Sequence, residues 1–161
     1  MKKIIYSGMI LFVFLCACKR PERYSDIPEI KFINFEKINQ TDGLLTFYFQ
    51  DGKGDIGLDS WEVNPPFDYN FFCDYYEKRH GAFVKIDSIE DFKGELIPFN
   101  FNGRIPKLSY LPEESINGVI YYTLSPYCDK FSPYTDTVRL EFYIVDRKLN
   151  KSNTEEVVVI R

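Results

Sequence analysis

Histidine, tryptophan and methionine are nearly missing from this chain, at one, one and two residues. Each shortage closes a route. His80 is the sole imidazole, so a Ser/His/Asp or Cys/His catalytic unit would have to use it, and no nucleophile-elbow sequence accompanies it. Two cysteines beyond the N-terminal region and one distant histidine do not make the paired-ligand spacing of a zinc site. Positive charge is not in excess, since 20 Lys and Arg face 24 Asp and Glu. A nucleic-acid binder would show a basic patch or stripe, and that class is set aside. No apolar run reaches the about 20 residues that carry a helix across a bilayer. No stretch keeps a helical period, and neither an internal repeat nor a low-complexity segment is visible.

What is present begins with an address. Lys2 and Lys3 precede an apolar run from Ile4 to Leu15, which ends in Leu15-Cys16-Ala17-Cys18. A positive start, a short hydrophobic stretch and small residues at its end mark a secretory signal. Leu15-Cys16-Ala17-Cys18 also resembles the bacterial lipobox, in which a small residue precedes a cysteine that is acylated and becomes the first mature residue. The resemblance implies that Cys18 carries the lipid and that residues 1–17 are removed. Cys16 fits less well, because bulky Leu15 precedes it. The mature chain would then have 144 residues and, without Lys2 and Lys3, a formal charge of −6. That is close to the common size of one domain. Residues 18–28 read as the lipidated cysteine and a polar tether, and residues 29–161 as the folded body.

Aromatic residues dominate that body, with 15 Phe and 12 Tyr in the whole chain. Their bulk suits a pleated, half-buried surface. Strand-like runs fall near 29–38, 44–50, 68–78, 82–87, 118–124, 137–146 and 155–161, separated by Gly, Pro, Asn and Asp clusters. In the clearest, Val138, Leu140, Phe142 and Ile144 alternate with Arg139, Glu141 and Tyr143, one face for a core and one for water. Phe67, Tyr69, Phe71, Cys73 and Tyr75 form a second stripe opposite Asp68, Asn70 and Asp74. Leu45, Phe47 and Phe49 form a third. Hairpins are expected at His80-Gly81 and across 146–153. Residues 88–117 give the weakest pattern, because Pro98, Pro106 and Pro112 break any long element. About seven strands without βαβ alternation predict an all-β fold, an antiparallel two-sheet immunoglobulin-like sandwich.

Asp51-Gly52-Lys53-Gly54-Asp55-Ile56-Gly57-Leu58-Asp59 is the sharpest local motif. Alternating carboxylates on a bendable loop can aim oxygens at one calcium ion, which takes six to eight ligands. Asp51, Asp55 and Asp59 are the candidates, with Asp146, Asn150 or Asn153 as recruits from another loop. Against calcium, Lys53 stands where a third acid is expected and no bidentate Glu follows. A glycine-rich turn is the preferred reading. This segment resembles one recurring in small secreted lipoproteins of the Bacteroidota. So do Asp74-Tyr75-Tyr76-Glu77-Lys78, Asn102-Gly103-Arg104-Ile105-Pro106 and Phe142-Tyr143-Ile144-Val145-Asp146-Arg147 with Lys151-Ser152-Asn153-Thr154. The resemblance implies an immunoglobulin-like, lipid-anchored envelope protein and no particular activity.

Four further expectations concern single residues. Cys73 and Cys128, exported to an oxidising compartment, either pair as a disulfide or stay reduced with Cys73 in the core. Trp61 and Tyr143 are the aromatic candidates for a binding surface, for a glycan or an envelope protein. Ser88, in Asp87-Ser88-Ile89, matches a short O-glycosylation pattern of the Bacteroidota. No pair of carboxylates stands out for hydrolysis. The functional expectation is therefore a non-enzymatic binding or structural module. It is held at the outer membrane by its lipid and faces the periplasm. A calcium-dependent module and an envelope hydrolase using paired carboxylates are the alternatives.

Overall fold

The alternation in the sequence becomes two packed sheets. The computed structural model describes residues 24–91, 93–107, 115–126 and 136–160. The expected signal residues 1–17, Cys18, the first half of the expected tether and Cys128 lie outside these. Among the described residues nine strands form: β1 (Glu29–Lys37), β2 (Gly43–Asp51), β3 (Phe71–Arg79), β4 (Ala82–Lys85), β5 (Ser88–Glu90), β6 (Leu96–Pro98), β7 (Ile116–Leu124), β8 (Thr137–Ile144) and β9 (Glu155–Ile160). One sheet runs β1-β2-β7 and the other β4-β3-β8-β9, all neighbours antiparallel, with β5 and β6 as a separate hairpin. This is the expected immunoglobulin-like sandwich, with its seven strands in the two sheets.

The apolar stripes make the core. Leu45, Phe47, Cys73, Leu140, Phe142 and Ile144 are fully buried, and Phe71 nearly so. Phe47 stacks on Phe71 with ring centroids 5.5 Å apart and meets Phe142 at 5.3 Å, so the layers interlock through aromatic rings from both sheets. Tyr75 packs edge-on against Phe99 and Phe101 from the segment after β6. That proline-broken region therefore contributes to the core without a long strand.

One stripe was read too far. The third strand starts at Phe71 rather than at 68, and Asn70, expected on the solvent face, is buried. Its side chain bonds across the chain: Nδ2 donates to the carbonyls of Ile56 and Ile105, and Oδ1 accepts from the Ile105 amide. A buried amide that satisfies three backbone groups in other segments leaves no signal in a period-two pattern.

The register places the connections. Glu29 pairs with Gln50, Ile116 with Asp51 and Phe71 with Ile144. The long loops 52–70 and 145–154 therefore share one end of the sandwich. The other end carries the β1–β2 turn, the β7–β8 connection and the His80-Gly81 turn, where φ of 51° and 87° gives the doubly left-handed hairpin turn. The chain also enters at the loop end. The Gly52 amide donates to the Ser25 carbonyl at 2.8 Å, and a Cβ on Gly52 would collide with the Tyr24 and Ser25 backbone. Pro28 is fully buried, so the second half of the expected tether is docked on the body.

Candidate functional site

Three loops of this protein are built by one device. Asp51 accepts from the amides of Lys53 and Asp55, at 3.2 and 2.8 Å. Asp91 accepts from Lys93 and Glu95, at 2.7 and 2.9 Å. Asp146 accepts from Lys148 and Asn150, both at 2.8 Å. In each, the residue before the last is left-handed: Gly54 at φ 65°, Gly94 at 82° and Leu149 at 64°. The shared pattern is Asp-x-Lys-x-(Asp/Glu/Asn), with the aspartate bonded to the amides two and four residues on. It was visible in the sequence as a spacing but passed unread, because only one copy is glycine-rich on both sides.

This device settles where the calcium candidates point. Asp51 and Asp146 are buried, and oxygens of both are committed to their own turns. The Asp55 amide donates to Asp51 and the Arg147 amide, next to Asp146, donates to the Asp55 carbonyl, which brings the three aspartates together. Burial pushes the Asp51 carboxyl up, with the charges of Asp55 and Asp146 adding to the rise. Asp55 Oδ1 is buried with no hydrogen-bond partner, while its Oδ2 lies 3.9 Å from Lys148 Nζ. Lys53 pairs with Asp26 at 3.3 Å. Asp59 turns elsewhere, its Oδ2 3.8 Å from both Lys107 and Arg147. Asn153 bonds to β1 instead. Among the described residues, no group of three or more His, Cys, Asp or Glu is arranged to hold a metal.

Two arginines that the sequence reading did not single out organise the rest of this end. Arg104 lies under the loop 59–68. Its Nη2 donates to the Asp59 carbonyl at 2.8 Å, and its Nη1 reaches the carbonyls of Glu62, Phe67 and Asp68. Nη1 has two hydrogens for three carbonyls, so one is shared. Arg147 forms a two-pronged pair with Glu62, at 2.7 and 2.6 Å, and Glu62 Oε2 also accepts from the Asp59 amide. The Arg147 hydrogen bonds hold the Glu62 carboxyl below its usual range, and Glu62 in turn raises Arg147. The Arg147 amide donates to the Asp55 carbonyl, which ties the two long loops together.

Trp61 stands on this braced loop and is 74% exposed, with Val63 beside it at 61%. A tryptophan buries more apolar surface on contact than any neighbour here, so holding one out in water on a pinned loop prepares a contact. The other aromatic candidate is less open. Tyr143 lies on the outward face of β8, half-buried, stacked on Phe72 at 5.0 Å and covered by Lys151 Nζ at 3.7 Å from its ring centre. Burial is the main reason its phenol titrates high.

The remaining candidates fall apart in space. Cys73 is a free thiol in the core, its pKa driven up by burial, while Cys128 lies outside the described residues. Ser88 opens β5, half-buried, with Oγ 3.3 Å from Asp87 Oδ1. No protein-family model matches this chain, and neither does any curated protein sequence.

Proposed function

We propose that this chain is a lipid-anchored protein of the bacterial cell envelope, a non-enzymatic module that works by presenting a rigid contact surface. The observation that carries this reading is Trp61, exposed on a loop clamped by Arg104 and Arg147. The charged groups around it are committed to the scaffold. Asp51 and Asp146 hold turns, and Glu62 is locked to Arg147. Groups so engaged define shape and leave recognition to the tip. The anchor rests on the sequence: the Lys2-Lys3 start, the apolar run and Leu15-Cys16-Ala17-Cys18. The likeness to Bacteroidota lipoproteins supports an envelope location, and Lys19-Arg20-Pro21-Glu22-Arg23, unlike an acid-rich surface-export tag, favours the periplasmic face of the outer membrane over the cell surface. The test is the mature mass from the envelope fraction with and without globomycin, which blocks lipoprotein processing. An acylated N-terminal Cys18 whose release globomycin prevents is expected. An unmodified Cys18 sinks the anchor.

Calcium is a second reading, favoured by one atom. Asp55 Oδ1 is buried without a partner beside Asp51 and Asp146, and a cation there would supply what it lacks. Thermal unfolding of residues 19–161 in EDTA and then in millimolar calcium decides it. A rise in Tm that Asp55→Asn abolishes would establish the site, and equal midpoints would leave the loop as a turn.

A further inference from the structure

We propose that the loop end bearing Trp61 lies against the phospholipid surface that holds the Cys18 anchor, with Trp61 seated at the boundary of headgroups and acyl chains. The proposal rests on the anchored reading above and adds the partner and the orientation.

The tether supplies the first reason. Six residue steps separate Cys18 from Tyr24, where the described chain begins on the loop end beside Gly52. Fully extended, they span roughly 20 Å. The sandwich strands, nine residues at the longest, run about 30 Å to the opposite end. A chain leashed at the loop end keeps that end near the lipid and holds the opposite end away.

What the loop end presents fits such a surface. Ile27, Trp61, Val63 and Leu149 are each at least half exposed, on three separate segments of this one end. Leu149 is in a left-handed position, where its counterparts in the other two turns are glycines. The charges are layered to match. The lysines at 53, 107 and 148 are 46–59% exposed, while the carboxylates of Asp55, Asp59 and Glu62 are 15–21% exposed. Asp26 and Glu29 are the exposed acids at this end, Asp26 paired with Lys53 and Glu29 accepting from the Gln50 side chain. Lys19, Arg20 and Arg23 of the tether outweigh Glu22 and add a net charge of +2. Apolar tips ringed by lysines are what a phosphate-bearing interface accepts: rings and branched chains enter the boundary, and ammonium groups stay with the phosphates. The Arg104 and Arg147 clamps order the loop in advance, so insertion need not order it.

Trp61 is the sole tryptophan of the chain and reports on itself. The acylated full-length product is reconstituted into phosphatidylethanolamine–phosphatidylglycerol vesicles, with and without bromine near the headgroup end of the acyl chains. Flotation reads the anchor, and Trp61 fluorescence reads the orientation. Roughly twofold quenching by bromine, with loss of quenching by aqueous acrylamide, is expected for an indole 5–10 Å into the boundary. A Val63→Asp/Leu149→Asp variant, checked for an unchanged Tm, should still float but lose most of the bromine quenching. If the protein floats while bromine leaves Trp61 untouched and acrylamide quenches it freely, the orientation is wrong and the anchor stands; a protein partner then becomes the occupant to seek. If it does not float, the anchored reading fails and the orientation fails with it.

Discussion

Glu62 shows how much one side chain can organise here. It accepts two hydrogen bonds from Arg147 and one from the Asp59 amide, and those bonds lower its pKa. A carboxyl lowered in the folded state stabilises the fold above its unfolded pKa, and that support is lost as pH falls through the lowered value. Loss should therefore begin as pH drops past about 4.5, the ordinary value for Glu. Asp51 runs the other way. Its carboxyl is raised, mainly by burial, so acid relieves part of the cost of holding it charged. The two effects oppose each other, and the variant separates them: Glu62→Gln should flatten the fall in Tm between pH 5 and pH 3. An unchanged slope would mean that the Arg147 pair contributes nothing to acid stability. The Asp-x-Lys turns were legible only in hindsight, since an aspartate that bonds its own loop looks in sequence like one that binds a metal.

At the level of elements, strand positions followed from alternation because the side-chain period of two is imposed by the pleat itself. The sheet edges could not be read that way. β1 is an edge strand, and its outer backbone groups are met by side chains from the β8–β9 connection and β9. The Ile30 amide donates to Asn153 Oδ1, Asn153 Nδ2 donates to the Ile30 carbonyl, and the Phe32 amide donates to Glu155 Oε2. Asn153 thus imitates a neighbouring strand for one residue and blunts an edge open to pairing. Asn153→Ala should lower Tm by about 2–8 °C, from about 1–2 kcal/mol for the lost bonds. It should also raise the tendency to associate, read by light scattering near the midpoint. A variant with wild-type Tm would show that water replaces Asn153 at no loss.

For the whole molecule, the core makes Cys73 a probe of global stability. It is fully buried on the core face of β3, beside Phe142 of β8, and desolvation keeps it as the unreactive thiol. In the mature domain carrying Cys128→Ser, alkylation of Cys73 should be slower than in urea by a factor on the order of 10³ or more, because only unfolded molecules expose it. Rapid labelling in native buffer would reveal a local opening of the sheet. In the unmutated domain, alkylation before and after denaturation, read by mass, reports whether Cys73 and Cys128 are both free.

The sequence by itself determined the all-β sandwich, because alternation, turn residues and aromatic stripes are local properties that repeat along the chain. It also marked the 51–59 loop as unusual. Only the tertiary structure brought Asp146 to Asp51 and Asp55, held Asn70 against the Ile56 and Ile105 segments and set Arg104 beneath the Trp61 loop. Those contacts join residues 14 to 95 positions apart. Which loops share an end depends on register and sheet order, and no local pattern encodes that. Trp61 was conspicuous in the sequence by its rarity, but its rigidity and its place beside the point where the chain enters belong to the fold.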